Sequence, residues 1–441
     1  MRTLAVDVGP LRTPAYRRLW MGQAVTLVGS QMTIVAVPAQ VYALTGRSLD
    51  VGLTSMVALV PLVIFGLLGG AIADAVDRRI LLLVTGSALA VVSAALWAQA
   101  LLPGRGNLYL LWILVAVQSG LVAINSPARS AVIPRLLPAE QVPAANALNQ
   151  IVTNTGIVVG PLLAGVIIAQ AGLPWTYLVD AGSFFLALYT LLRLPALPPD
   201  RGGQTGRASV LEGLRFLASR RILLMTFLVD INAMVFGWPR ALFPELAQTR
   251  YGGQGALGWL YAAPAIGALL AALLGGWLSR VNRQGLTVLV SVSLWGVAIA
   301  AFGVTGTLPL AVLFLAAAGA ADMVSAVFRT SMLQLAAPDA MRGRLQGVFI
   351  VVVTGGPRLG DLRAGGVSAL TSPSAALVSG GVACVVGVAL LASLMPAFVR
   401  YQARHALAEL ESDRPGASTA PASVGTAGAG GTGSGGFPGY P

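Results

Sequence analysis

Twelve apolar stretches separated by short polar segments dominate this sequence. A segment rich in Pro, Gly and Arg, 195–221, divides them into two groups of six. Each stretch is long enough to cross the hydrocarbon core of a bilayer as a helix, about 30 Å. The pattern therefore predicts an all-α membrane protein with twelve transmembrane helices arranged as two six-helix halves. The predicted helices lie at about 19–44, 50–73, 80–102, 108–128, 145–170, 174–194, 222–246, 255–279, 285–305, 308–333, 346–370 and 375–399.

A short charged hinge lies between predicted helices 2 and 3. The chain is uncharged from Val51 to Ala73 and again across 80–102, and the hinge itself spans Gly70–Arg79. Two spanning helices joined by so few residues must form a tight hairpin. The pair Arg78 and Arg79 predicts that this hinge is cytoplasmic.

The distribution of arginine predicts the orientation of the chain. All 28 basic residues are Arg; three fall in predicted external loops, three fall within helices, and the remaining 22 lie in predicted cytoplasmic segments. This excess of positive charge on one side predicts a multi-pass protein of the inner (plasma) membrane with both termini cytoplasmic. The external residues are Arg47, Arg105 and Arg250, and those within helices are Arg240, Arg358 and Arg363.

The same pattern divides the chain into five parts. Residues 1–18 form a cytoplasmic leader, 19–194 the first half, 195–221 a cytoplasmic linker, 222–400 the second half and 401–441 a cytoplasmic tail. The tail is rich in Gly, Ala, Ser, Thr and Pro from about residue 415 and is expected to be disordered there.

The two halves carry matching landmarks. Gly69-Gly70 ends predicted helix 2 and Gly275-Gly276 ends predicted helix 8, while Arg129 and Arg329 each precede a Pro by nine residues. The pairs share an offset near 200 residues and fall in corresponding helices. They indicate a duplicated six-helix unit.

Composition narrows the class of function. Hydrophobic residues make up 56% of the chain and charged residues 10%, against about 25% charged in soluble domains. The net charge of +12 is spread over loops, so nucleic acid is not an expected partner. The single Cys384 excludes an internal disulfide, and the single His405 argues against a His-based metal site or catalytic triad. We expect no enzyme activity, no catalytic residue, no metal and no cofactor.

Polar side chains follow one face of several predicted helices. Predicted helix 1 carries five such residues, and the intervals between them place all five within an arc of about 100°. Such a face either lines a cavity or bonds to a neighbouring helix. Predicted helix 4 carries Gln118, Asn125 and Arg129 on one face, and helix 5 carries Asn149. Arg129 either takes part in a gate or ion pair or extends to the interface. The helix 1 residues are Gln23, Thr26, Ser30, Thr33 and Gln40.

Carboxylates near the middle of predicted helices indicate proton or substrate handling. Asp230 and Asp322 lie near helix centres, and Asp361 follows Arg358 by three residues. An acid in lipid tends to keep its proton, because removal from water disfavours the charged form. Structural pairing is the alternative, including a static ion pair between Arg358 and Asp361. Asp180 is a weaker candidate, because helix 6 is expected to face lipid, and Glu245 is expected to be solvated.

These features together resemble the major facilitator superfamily over about residues 15–400. The motif Gly70-x3-Asp74 followed by Arg78-Arg79 carries the resemblance in the hinge. The stretches from Arg18 to Gln23 and Ser126-Pro-Ala-Arg129 resemble more specifically the branch of enterobactin exporters and macrolide-efflux proteins. The chain departs from the family pattern at Ala75, where a basic residue is usual, and at Asp77, where Gly is common.

The resemblance implies proton-driven export by alternating access, with the two halves rocking about a central site. It also implies a cytoplasmic gate in which Asp74 and the Arg pair stabilise the outward-open state. We assign the substrate and proton pathway to Gln23, Ser30, Gln40, Gln118, Asn125, Asn149, Asp230, Asp322, Arg358 and Asp361. We assign the gate to Gly70, Asp74, Asp77, Arg78, Arg79 and Arg129.

The sequence thus predicts a proton-coupled efflux transporter, an antiporter that exports a siderophore or a hydrophobic, drug-like small molecule. Its expected partners are that small molecule, protons and the lipid bilayer, and a monomer is expected. Two alternatives remain open: a nutrient importer or facilitator of the same fold, and a non-transporting membrane sensor.

Overall fold

The computed structural model describes residues 7–102, 106–194, 215, 217–336 and 339–402, without the side chains of 67, 69–71, 73–75, 335–336 and 339–351. Within these ranges the chain is helical and contains no strand. Most of the predicted linker and nearly all of the predicted tail lie outside the described residues.

Twelve long helices account for most of the described chain. Eleven of them are long and apolar enough to cross a membrane, judged by length and composition. The predicted all-α architecture of two six-helix halves is confirmed. The helices are α1 Pro14–Thr45, α2 Ser48–Ala75, α3 Arg78–Ala100, α4 Leu108–Leu136, α5 Val142–Gln170, α6 Leu173–Leu192, α7 Arg221–Gly237, α8 Gln254–Leu273, α9 Gln284–Val304, α10 Leu308–Ala336, α11 Asp339–Leu370 and α12 Pro373–Leu394.

Several helix boundaries differ from the prediction. Helix α1 begins at Pro14 rather than 19, so part of the predicted leader is helical, and α4 continues to Leu136 rather than 128. Helix α7 ends at Gly237, just before Trp238 and Pro239, because proline disfavours helical backbone in the residue before it. The chain then continues through a 3₁₀ turn into the short helix Phe243–Thr249.

Local sequence explains the tight connections. The α1–α2 turn contains only Gly46 and Arg47, and Gly46 has φ +65°, a conformation that suits glycine. Helix α3 begins at the hinge because the Asp77 side chain accepts hydrogen bonds from the backbone N–H of Arg79 and Ile80. Asn107 caps α4 in the same way.

The two halves repeat the same helix pairing. In the first half α2 packs on α4, α3 on α6 and α1 on both α5 and α6; in the second half α8 packs on α10, α9 on α12 and α7 on both α11 and α12. The halves meet through α2 with α11 and through α5 with α8. This correspondence is the repeat indicated by the sequence landmarks, and it is the construction of the major facilitator fold.

Each end of the bundle has its own set of connections. We call the end that carries Pro14 and Leu394 the terminal face, and the end that carries Thr45 and Ser48 the opposite face. Large apolar side chains such as Val91 and Leu394 are exposed along the outside of the bundle. In a membrane protein such surfaces contact lipid.

Candidate transport cavity

A cavity of about 550 Å³ lies between the two halves. Its size is within the range of pockets that hold drug-sized ligands. Helices α1, α2 and α4 contribute most of its wall, and α3, α6, α8, α11 and the segment Trp238–Ala241 complete it. On α4 the lining runs from Val115 to Arg129, which are fourteen positions apart, a separation of about 21 Å along the helix axis. The cavity therefore extends from near the opposite face toward the terminal face.

Most of the predicted pathway residues lie in this cavity. The polar face of α1 points into it, so the cavity interpretation of Gln23, Thr26, Ser30 and Thr33 agrees with the geometry. On α4, Gln118 and Asn125 line it together with Arg129, which the sequence had assigned to the gate. Arg358 and Asp361 line it from α11.

Four predicted pathway residues lie away from the cavity, and two of them, Gln40 and Asn149, belong to the first half. Gln40 is fully buried, and its Oε1 accepts a hydrogen bond of 2.8 Å from Tyr177 Oη on α6. Asn149 Oδ1 accepts a hydrogen bond of 3.5 Å from Tyr16 Oη. Both side chains join helices of the first half to one another.

Asp361 is the centre of a polar cluster at the narrow end of the cavity. Its Oδ2 accepts a hydrogen bond of 2.8 Å from Ser55 Oγ on α2, and its Oδ1 accepts one of 3.0 Å from the backbone N–H of Ala241. Arg358 Nη1 donates to the carbonyl of Thr354 at 2.6 Å, and its guanidinium interacts electrostatically with Asp361 without the close ion pair that the sequence left open as an alternative. Arg240 lies close enough to Asp361 to interact electrostatically. Nothing in the sequence singled out Ser55, which lies in an apolar stretch.

The contacts between the halves gather toward the opposite face. Gly52 on α2 lies against the backbone of Asp361 and Leu362, and Gly165 on α5 lies against Gly258 on α8. Glycine allows these helix backbones to approach closely. The cavity is thus closed at this end and extends from it toward Arg129.

Glu245 strengthens this closure. Its Oε2 accepts hydrogen bonds from Ser48 on α2 and from Ser368 on α11, the latter at 3.4 Å. The carboxylate therefore joins both halves at the opposite face, whereas the sequence suggested a solvated side chain.

Asp230 and Asp322 share one arginine outside the main cavity. Asp230 on α7 forms a buried ion pair with Arg329 on α10. Asp322 accepts a hydrogen bond of 3.4 Å from Arg329 Nη2, and its side chain is 47% exposed. The arrangement gives both acids a cationic partner and fixes α7 against α10.

Asp180 occupies a position that the sequence did not predict. Helix α6 does not turn this residue toward lipid: Asp180 is fully buried. Its Oδ2 accepts hydrogen bonds of 2.8 Å from Thr33 on α1 and from Ser93 on α3. The acid therefore joins three helices of the first half.

Three hinge residues contact the first half. Asp77 caps α3, Arg79 Nη2 donates to the carbonyl of Leu192 at 2.7 Å, and Arg78 Nη1 reaches the carbonyl of Ala131 at 3.5 Å. Gly70 and Asp74 lie in the last part of α2, and their side chains are outside the described residues.

Comparison with known proteins identifies the family. Residues 5–413 match the family model described as "Transmembrane secretion effector", a branch of the major facilitator superfamily. The chain belongs to this family of transmembrane secretion effectors. Its relatives include proteins named enterobactin exporter EntS. That of Shigella boydii serotype 18 is 30% identical over 384 residues, 87% of this chain and 92% of the relative. That of Citrobacter koseri is 30% identical over 86% of this chain and 91% of the relative.

Solved structures confirm the fold. The nucleoside transporter NupG superposes with a TM-score of 0.69 at 15% identity, covering 88% of this chain and all of that chain. A bacterial homologue of the iron transporter ferroportin, in an inward-facing state, gives 0.64 at 15% identity over 88% of this chain and 99% of that chain. The molecule is a multi-pass membrane transporter of the major facilitator superfamily.

Proposed function

We propose that this protein exports an organic small molecule from the cell by proton-coupled alternating access, and that a siderophore is its cargo. The observation that carries the proposal is the cavity between the two halves, closed only toward the opposite face in the described contacts. Identity of 30% to proteins named enterobactin exporters supports the export direction and the cargo.

The arginine distribution gives the cavity its orientation. If the terminal face is cytoplasmic, as the bias predicts, the closed end of the cavity faces the outside and its other end extends toward the cytoplasm. An exporter must load its cargo from this state and must then break the contacts between α2 and α11 to release it.

Asp361 is well placed to couple this opening to a proton. Its carboxylate holds Ser55 of the other half and the backbone of Ala241, and it faces Arg240 and Arg358. Protonation removes the negative charge that favours these contacts. A proton taken up from the outside in exchange for the cargo would therefore weaken the closure between the halves. Its release to the cytoplasm would restore the charge of Asp361 and, with it, these contacts.

A complementation experiment tests this role. A strain that lacks the chromosomal gene receives the wild-type gene, Asp361→Asn, or the matched control Asp50→Asn, which changes a carboxylate of α2 outside the cavity. Secreted siderophore is quantified in iron-poor medium. Asp361→Asn should reduce secretion at least tenfold, because its amide cannot cycle a proton, and Asp50→Asn should retain it. Full secretion by Asp361→Asn would remove Asp361 from the coupling mechanism.

The same strains separate the alternative functions. Loss of siderophore secretion with no change in drug susceptibility supports a siderophore exporter, and the reverse result supports a drug exporter. A sensor without transport activity would restore its phenotype equally well with Asp361→Asn, since no proton flux is needed.

A further inference from the structure

The charges that line the cavity do not balance. Three guanidinium groups, those of Arg129, Arg240 and Arg358, face it, and Asp361 is the one acidic side chain among its described lining residues. Arg240 and Arg358 share that carboxylate, because both interact with it electrostatically. Arg129 does not share it, since it lies toward the other end of the cavity.

Arg129 has no partner among the residues whose side chains the structure describes. Among the described residues its side chain makes no hydrogen bond and no ion pair, and no charged group compensates it. A guanidinium carries five N–H donors in a rigid planar fork and does not lose its proton in proteins. Removing it from water without a counter-charge is unfavourable. An anion that enters the cavity would supply the missing charge.

The surroundings of Arg129 suit such a guest. Gln118 and Asn125 lie on the same face of α4 and point into the same cavity. Amide groups of this kind add neutral hydrogen bonds to an anion without adding charge. Apolar side chains line the same cavity, and Leu27, Leu62 and Val122 are among them.

The narrow end adds an aromatic surface. The guanidinium of Arg240 lies over the ring of Trp238 at 4.9 Å and near the ring of Tyr261 at 5.9 Å. These stacked groups offer a flat, cationic face. An aromatic part of a long guest can stack on this face while its anionic group remains at Arg129.

We propose that the cargo is an amphipathic organic anion, whose anionic group pairs with Arg129 and whose apolar body lies along the cavity. The inference rests on the proposed function and adds the charge of the cargo to it. The carrier selects anions because a neutral guest leaves Arg129 uncompensated, and a cationic guest adds to the existing positive charge.

The test uses the purified full-length protein and three fluorescent dansyl probes. The probes share one alkyl chain and end in a carboxylate, a methyl ester or a trimethylammonium group. The carboxylate probe should bind at least tenfold more tightly than the other two, because a charge-assisted hydrogen bond contributes roughly this factor. Arg129→Gln should remove this preference by weakening the carboxylate probe alone, and Arg129→Lys should retain most of it.

Three results would overturn the inference. The first is equal binding of the three probes by the wild type, and the second is a preference for the cationic probe. The third is an equal loss of binding for all three probes in Arg129→Gln while the variant elutes as a folded protein. Should Arg129→Gln fail to fold, the wild-type preference and Arg240→Gln decide the question: Arg240→Gln should keep the preference for the carboxylate probe, because Asp361 already compensates Arg240. Complementation separates this inference from the proposed function. Anion preference without siderophore or drug efflux contradicts only the proposed function, and efflux without anion preference contradicts only this inference.

Discussion

At the scale of single residues, buried polar groups in this chain divide into those that hold helices together and those that face the cavity. Spacing along each helix predicted which residues share a face, and for α1 and α4 that face lines the cavity. It could not predict partners from other helices. Asp180 and Gln40 instead connect helices that are distant in sequence. Thr33 and Ser93 donate hydrogen bonds to Asp180, and Tyr177 donates one to Gln40.

The ion pair between Asp230 and Arg329 leads to a prediction about stability. Arg329→Gln leaves Asp230 buried without its cation, and breaking one side of such a pair typically costs about 3–5 kcal/mol. We expect a clear drop in the thermal unfolding midpoint of the detergent-purified protein. Asp230→Asn combined with Arg329→Gln should recover a large part of the loss, since no charge is then left uncompensated. A double variant less stable than both single variants would contradict the pairing.

At the scale of helices, the apolar pattern predicted the twelve helices. It did not predict helix ends that are set by the backbone conformation and not by loss of apolar residues. Helix α7 ends before Pro239 although apolar residues continue, and α8 ends at Leu273 before the 3₁₀ segment Gly275–Arg280. The pairing of α2 with α11 and of α5 with α8 was not predictable from single helices. It depends on where Gly52, Gly165 and Gly258 let two backbones meet.

Closure at the opposite face predicts that linking α2 to α11 stops transport. Ser48 and Ser368 bond to the same carboxylate oxygen of Glu245, so cysteines at these two positions are within reach of a short bifunctional thiol reagent. The background is Cys384→Ala, which removes the single native cysteine. Cross-linking Ser48→Cys to Ser368→Cys with a reducible reagent should abolish efflux, and a reductant should restore it.

Controls for the cross-link are the two single-cysteine variants treated with the same reagent. They should keep their efflux, because a reagent attached to one helix leaves the halves free to separate. Efflux at the full rate by the cross-linked double variant would show that these helix ends need not move apart.

At the scale of the whole molecule, the repeat of helix pairings and the match to transmembrane secretion effectors agree with what the sequence landmarks indicated. The cavity as a whole was less predictable. Its location depends on the relative tilt of the two halves, and no local pattern encodes that tilt. Its excess of positive charge follows from Arg129 facing the same space as Arg240 and Arg358.

The arginine distribution predicts the membrane topology, and cysteine labelling can test that prediction. Arg47 and Val76 are both exposed and lie at opposite ends of α2. In the Cys384→Ala background, Arg47→Cys should react with a membrane-impermeant maleimide in intact spheroplasts. Val76→Cys should react only after permeabilisation. The reverse pattern would place the terminal face outside and would turn the cavity toward the exterior.

Transport into inside-out membrane vesicles tests the central claim most directly. The cargo is enterobactin, the compound named in the relatives, and the variable is a pH gradient, acidic inside. The account predicts that vesicles containing the protein accumulate enterobactin when the gradient is present. A protonophore should abolish this accumulation, and Asp361→Asn vesicles should lack it. Accumulation that is unchanged when the gradient is collapsed, and equal in wild-type and Asp361→Asn vesicles, would contradict proton-coupled export.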